Sequence, residues 1–173
     1  MIQKTKFQGL YVIKNKKIQD QRGFFMEIMR NKDFKKNFPF VICSHSKKNI
    51  IRGLHMQKNN SQGKYLTVMK GKIFDVSLDL RKNSKTFGKI FKILLSEKNC
   101  KSIFIPEGFA HGFCSLTDDT LLLYSCTKYR DVKSEIVIRY NDENLKINWP
   151  STNPIVSKKD LKGLTYKEYL KKY

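Results

Sequence analysis

The sequence predicts an all-β protein, a sandwich or barrel of short strands folded as one domain over residues 1–173. Three observations predict this class. The dominant hydrophobic period is two, short turn signals separate the apolar runs, and helical patterns are sparse. Hydrophobic residues make up 40% of the chain and aromatic residues 12%, which is enough for a buried core, and no repeat or Pro/Gly/Ser linker divides the chain.

The clearest strand is Lys72–Leu80, in which apolar and polar residues alternate. One face carries Phe74, Val76, Leu78 and Leu80, and the other carries Ile73, Asp75, Ser77 and Asp79. This alternation predicts a half-buried antiparallel strand. The turn Lys70–Lys72, centred on a glycine, joins it in a hairpin to a preceding strand, 64–69.

The remaining elements follow from shorter patterns. Further strands are predicted at Leu10–Ile13, Phe24–Met29, Ile90–Leu95, Ser102–Ile105, Leu121–Cys126 and Ile136–Tyr140. One or two helical turns are predicted at Asn31–Asn37. Thr165 and Glu168 form a capping-box pattern ahead of a short C-terminal helix, and Gly163 argues against an earlier start.

Charge and cysteine usage exclude several classes of protein. The formal net charge is +20, but the lysines are spread from end to end, so no nucleic-acid-binding arm is predicted. No apolar run is long enough to span a membrane and no signal peptide is visible, so we expect a cytoplasmic protein. The four cysteines form no CxxC pair, so we expect buried free thiols in a reducing compartment.

The residues that could carry chemistry are few. The three histidines are His45, His55 and His111; His111 follows an apolar strand in a Gly-punctuated loop. Because there is no His-x-His pattern, a cupin-like metal site is disfavoured, although two histidines and a carboxylate remain possible ligands. No GxSxG, Walker loop or GxGxxG is present, so any diphosphate must be held by side chains, for which arginine is well suited.

An ordered set of segments across nearly the whole chain resembles the dTDP-4-dehydrorhamnose 3,5-epimerase family. The matching segments are Asp20–Glu27, Ser44–Ser46, Arg52–Gln57, Gly63–Leu66, Gly71–Val76, Asp79–Gly88, Ile105–Phe113, Asn141–Asp142, Ile147–Pro150 and Ser157–Asp160. The resemblance implies a cupin-type jelly-roll β-barrel with a few short helices. It also implies a homodimeric isomerase that needs no metal or organic cofactor and acts on a nucleotide sugar with a 4-keto group.

The resemblance also implies roles for particular residues. His55 resembles the general base, Asp160 the carboxylate that orients it, Lys64 the cation beside the enolate oxygen, and Tyr124 the proton donor on the opposite face. The implied substrate-binding residues are Arg22, Phe25, Glu27, Arg52, Gln57 and His111, of which the first three can be lent by the partner subunit. Core packing for Tyr124 and a helix-terminal role for Asp160 stay open as alternatives. Glu135 and Asp142 are expected to hold loops.

Two departures from the family pattern leave the reaction open. Arg130 and Val132 occupy positions where members often carry a second active-site tyrosine and a proline, so epimerisation at C3 alone is an alternative to action at C3 and C5. Phe40–Cys43 lacks the usual Gln and Asn. A GDP-linked 4-keto-6-deoxyheptose is an alternative substrate for a capsule, and a non-catalytic sugar-nucleotide or metal-binding cupin is an alternative of another class.

Overall fold

Two largely antiparallel β-sheets face each other in the computed structural model, which describes residues 1–173. The first sheet, in spatial order, comprises β1 (Ile2–Lys4), β2 (Tyr11–Lys14), β10 (Lys101–Ile105), β7 (Lys64–Lys70), β12 (Thr120–Cys126) and β5 (Phe40–Ser46). The second comprises β13 (Glu135–Val137), β6 (Ile50–Gln57), β11 (Phe109–Ser115), β8 (Lys72–Asp79) and β9 (Ile90–Ser96), with β14 (Ile155–Val156) parallel to β6. The result is the jelly-roll-like sandwich that the resemblance implied.

The elements outside the sandwich are small. Strands β3 (Lys17–Asp20) and β4 (Gly23–Met26) form a separate hairpin, and the helices are α1 (Lys158–Leu161) and α2 (Tyr166–Lys172). Single 3₁₀ turns occupy Asn31–Asp33 and Val132–Ser134. No helix has the length and apolar character needed to cross a membrane.

The main core lies between the two sheets. The first sheet contributes side chains such as Leu66 and Ile103, and the second contributes Ile73, Leu95 and Phe113, all at most 2% exposed. A second cluster on the outer face of the second sheet packs Val76 and Leu78 against the C-terminal segment, and a third covers the outer face of the first sheet. Both faces of the second sheet are therefore buried.

Strand β8 corrects the prediction of a half-buried strand. Asp75, Ser77 and Asp79 are all 0% exposed, because their face points into the sandwich while the apolar face is covered by the C-terminal segment. The burial of two carboxylates is made possible by partners that alternation cannot reveal. Asp75 pairs with His111, and Asp79 pairs with Arg81.

Most strand predictions are confirmed to within a residue or two. Phe24–Met29 extends too far, because β4 pairs only with β3 and that pairing ends at Met26. Ile136–Tyr140 also extends too far, because β13 ends at Val137 and the last backbone hydrogen bonds to β6 are those between Ile138 and Leu54. The C-terminal helix and its Thr165–Glu168 capping box are confirmed, and the predicted helical turns at Asn31–Asn37 reduce to a single 3₁₀ turn.

Strands β6 and β11 approach each other unusually closely. A Cβ added at Gly53, whose φ is +129°, would lie 2.5 Å from Gly112 Cα, and one added at Gly112 would lie 2.8 Å from the Arg52 carbonyl oxygen. Glycine at both positions therefore permits this contact. It also brings His55 and His111 into direct register.

The expectation that all four cysteines are buried is partly wrong. Cys114 and Cys126 are buried, but Cys43 is exposed and Cys100 is partly exposed. Cys43 lies on β5, the edge strand of its sheet, which leaves its side uncovered in this subunit. All four thiols are free, as expected.

Candidate active site

A cavity of about 510 Å³ opens between the two sheets, and both sheets contribute polar side chains to its wall. The second sheet and the segment after β14 contribute His55, His111 and Asp160 to its wall. The first sheet contributes Lys64 and Tyr124. Polar groups of two different sheets thus face one enclosed space, as expected of a ligand site.

His55 and Asp160 form a hydrogen-bonded pair at the cavity wall, 2.7 Å apart between Nε2 and Oδ1. The Gly53 amide donates to Asp160 Oδ2 over 3.2 Å, and Ser157, the N-cap of α1, accepts from the Asp160 amide. Burial alone would raise the pKa of Asp160, but the hydrogen bond and charge of His55 outweigh it and hold that pKa below its ordinary value. An ionised carboxylate only accepts, so His55 Nε2 is the nitrogen that donates in this pair, and Nδ1 has no protein partner.

Asp160 therefore combines the two roles that were weighed for it. It is a first-turn residue of α1 and it is also the partner of His55, 105 residues away in the sequence. The helix places the carboxylate, and the carboxylate orients the imidazole.

Lys64 and Tyr124 lie on the opposite wall, on neighbouring strands of the first sheet. Burial lowers the pKa of the Lys64 amine and raises that of the Tyr124 phenol, whose oxygen lies 3.3 Å from Ser44 Oγ. The core alternative for Tyr124 is half right, because the residue is only 9% exposed, but its hydroxyl end lines the cavity. A protonated phenol and a lysine thus face the imidazole.

His111 lies within β11 and not in a loop, because the turn forms earlier, at Gly108, where φ is +86°. Its Nε2 is 2.7 Å from Asp75 Oδ2, and both side chains are buried. The cavity therefore contains two histidine–carboxylate pairs.

A charged cluster at the cavity wall was missed by the sequence analysis. Glu135 Oε2 lies 3.0 Å from Arg130 Nη2 and 2.5 Å from Lys159 Nζ. Glu135 was expected to hold a loop, but it begins β13 and lines the cavity. The sequence around Glu135 is rich in turn residues, so it gave no indication that this side chain lines the cavity. Asp142 does hold a loop, accepting from the amides of Asn144, Leu145 and Tyr166.

A comparison with known protein families identifies the family of this chain. The family model described as dTDP-4-dehydrorhamnose 3,5-epimerase matches residues 4–168, nearly the whole chain. The chain belongs to this family.

Individual relatives agree with the family match. A dTDP-4-dehydrorhamnose 3,5-epimerase of Neisseria gonorrhoeae is 44% identical over 94% of this chain, which spans about half (51%) of that protein's length. One of Shigella flexneri is 40% identical, over 92% of each chain. A solved dTDP-6-deoxy-D-glucose-3,5-epimerase of Legionella pneumophila Philadelphia 1, in complex with dTDP-4-keto-L-rhamnose, is 37% identical with a TM-score of 0.92, covering 95% of this chain and 92% of that one.

The family resemblance predicts substrate contacts for Arg52 and Gln57. Both residues line the cavity, but their surroundings differ. Arg52 is exposed and is held by Ser46 Oγ and the His45 carbonyl oxygen, which leaves Nη1 without a protein partner. Gln57 is buried and its amide is committed to backbone groups of Asn60, Tyr129 and Asp131. The structure thus shows Gln57 holding these loops at the cavity wall, and its substrate role stays a prediction.

The three other epimerase-family positions do not reach the cavity in this subunit. Arg22 lies in the turn of the β3–β4 hairpin, paired with Asp20 at 2.7 Å, and Phe25 is 65% exposed on β4. Glu27 follows β4, 4.0 Å from Arg30. A contact of these residues with substrate therefore stays a prediction that depends on a second subunit. No group of three His, Cys, Asp or Glu side chains comes together as metal ligands would.

Proposed function

We propose that the protein is an epimerase that inverts C3 and C5 of dTDP-4-dehydro-6-deoxyglucose and so forms dTDP-4-dehydrorhamnose. One observation carries this proposal. A carboxylate-oriented imidazole lies on one wall of the cavity, and a phenol and an amine lie on the other. Epimerisation needs this separation, because a proton must leave one face of a carbon and another must arrive on the opposite face.

The first step is proton abstraction next to the ketone. His55 Nδ1 takes the hydrogen from C3 as a proton, and the C–H electron pair delocalises into the C4 carbonyl to give an enolate. Asp160 stabilises the imidazolium that results, since the pair is only 2.7 Å apart. The pair therefore holds the imidazole in place while the proton is transferred.

Lys64 stabilises the negative charge that develops on the enolate oxygen. Burial lowers the pKa of its amine, which means that water solvates it poorly. An enolate oxygen formed beside it can replace the missing solvation, and the interaction is strong because the cavity wall excludes water. Lys64 therefore acts mainly on the transition state.

Tyr124 completes the inversion from the opposite sheet. Its phenol gives a proton to the carbon on the face away from His55, and the electron pair of the enolate forms the new C–H bond. Burial raises the pKa of Tyr124, so the phenol stays protonated until the enolate forms. Solvent then restores the proton to Tyr124 and removes the one on His55, and the cycle repeats at C5.

The direct test is turnover in deuterium oxide. We expect one deuterium at C3 and one at C5 of the recovered dTDP-4-keto sugar, measured by NMR and mass spectrometry. Label at C3 alone would assign the protein as a C3 epimerase and implicate Arg130, which replaces the family tyrosine and pairs with Glu135. Absence of label, with the GDP-linked 4-keto-6-deoxyheptose labelled instead, would reassign the substrate.

We also propose that the working unit is a homodimer in the cytoplasm that supplies a deoxysugar for surface polysaccharide. The dimer is supported by Phe24 and Phe25, which are 57% and 65% exposed on a hairpin that pairs with no other strand. Apolar surface of this kind marks an interaction site. Analytical ultracentrifugation is expected to give a dimer mass, and a monomer at micromolar concentration would contradict the proposal.

A further inference from the structure

The second histidine–carboxylate pair is as tightly built as the first, but it is more deeply buried. His111 Nε2 and Asp75 Oδ2 are 2.7 Å apart, and the side chains are 5% and 0% exposed. His111 lies directly opposite His55 in the register of β11 and β6, and both line the cavity. The two imidazoles therefore share one substrate space.

Asp75 is poorly suited to a purely structural role. Its Oδ1 is buried and has no hydrogen-bond partner within the protein, so the carboxylate makes only one of the contacts available to it. Leaving a buried acceptor unpaired is unfavourable for folding, and buried charged pairs are often replaceable by apolar residues without loss of stability. The one hydrogen bond that Asp75 makes through its side chain is to His111, so the effect of this carboxylate on the imidazole is the role that its contacts indicate.

The contact leaves His111 with one defined orientation. Because the carboxylate accepts from Nε2, Nδ1 is the nitrogen that has no protein partner and that is available to the cavity. A ring held in this way presents an acceptor at a fixed point, where a sugar hydroxyl can donate to it. Without Asp75 the ring could rotate about its side-chain bonds or change tautomer.

We propose that Asp75 is a positioning residue that acts through His111, holding the imidazole so that Nδ1 contacts the sugar during epimerisation. The proposal deepens the proposed function and rests on it. Displacing a substrate-orienting group by about 1 Å costs on the order of 100-fold in rate. We expect Asp75→Asn to lower kcat/KM by about that factor, mostly through kcat.

A double-mutant cycle separates positioning from a structural effect. We expect Asp75→Asn and His111→Gln to lower kcat/KM by similar factors, and the double variant to be no worse than the poorer single variant. Ser77→Ala is the matched control, because Ser77 lies on the same face of β8, is equally buried and is paired with His111 in the strand register, but its hydroxyl makes no hydrogen bond to the imidazole. We expect it to change kcat/KM less than about threefold, within the range of a small buried substitution. Multiplicative losses in the double variant would overturn the proposal.

A spectroscopic measurement tests the contact independently of activity. With ¹⁵N-labelled histidine, the wild-type His111 Nε2–H is expected as a downfield, slowly exchanging proton, and Asp75→Asn is expected to move it upfield. An unmoved resonance would overturn the positioning role. The two proposals can fail separately. If the wild type incorporates no deuterium but Asp75→Asn still moves this resonance, the proposed function is wrong and the contact between Asp75 and His111 is confirmed.

Discussion

Replacing His55 by Asn is expected to lower kcat by about 10³-fold while the affinity for dTDP changes little. A positioned general base contributes roughly 10²–10⁴-fold to proton transfer, and the second imidazole of the cavity, His111, is assigned to a sugar hydroxyl. The Asn amide occupies the position of Nδ1, so it can neither accept a proton nor reach Asp160 as the imidazole Nε2 does. The measurement is steady-state turnover of the dTDP-4-keto sugar, with dTDP binding by calorimetry.

His45→Asn is the matched control for this experiment. His45 is an exposed histidine whose ring contacts Asp119 and lies outside the cavity, so the same substitution should leave turnover unchanged. If His55→Asn keeps more than a tenth of wild-type turnover, the base must be another group. The walls of the cavity assigned to the base and to the proton donor must then be reassigned.

The sequence predicted the parts of the fold in which local pattern and burial agree. Runs such as Leu121–Cys126 and Ile90–Leu95 are β-rich and apolar, and each is a strand to within one residue. Strands β5 and β6 were not predicted, because Ser44, Arg52 and Gly53 interrupt their apolar pattern. The residues that interrupt the pattern are the ones that shape the cavity. Strand prediction therefore failed at positions where residues needed for the site replace the apolar residues typical of a strand.

The candidate site was predictable only where a motif marked it. His55, Lys64 and Tyr124 came from the family resemblance, and the structure places all three in one cavity. Pairings over long sequence separations, such as Gly53 with Asp160, follow from topology and not from spacing. Substrate contacts of Arg22 and Phe25 stay predictions, because they require the second subunit that we propose.

Asp79 gives the largest expected effect on stability, because a whole loop is organised around one buried carboxylate. Arg81 Nη2, Ser84 Oγ and Thr86 Oγ1 donate to its Oδ2 at 2.8, 2.6 and 2.6 Å, and Arg81 Nε donates to Oδ1 at 2.8 Å. Burial would raise the pKa of Asp79, but these donors outweigh it and lower it to about 2.

Asp79→Asn is expected to reduce the free energy of unfolding by about 3–5 kcal/mol at pH 7. The new amide nitrogen would take the place of one carboxylate oxygen and, being a donor itself, could not accept the hydrogen bonds made there. Arg81 would also lose the negative charge with which it pairs. A pKa lowered from 3.8 to about 2 corresponds to about 2 kcal/mol of stability, present above pH 4 and lost as the pH falls through 2. Urea denaturation at pH 7 and pH 3 should show this acid-sensitive part in the wild type and not in the variant.

Asp20→Asn isolates burial as the cause, because Asp20 and Arg22 repeat the local geometry of Asp79 and Arg81. In both pairs the arginine follows two residues after the aspartate, at 2.7 and 2.8 Å, but the Asp20 pair lies exposed in the hairpin turn. Water solvates an exposed pair and side-chain freedom opposes it, so its loss should not measurably change stability. Equal effects of the two substitutions would mean that local geometry, and not the buried set of donors, stabilises this loop.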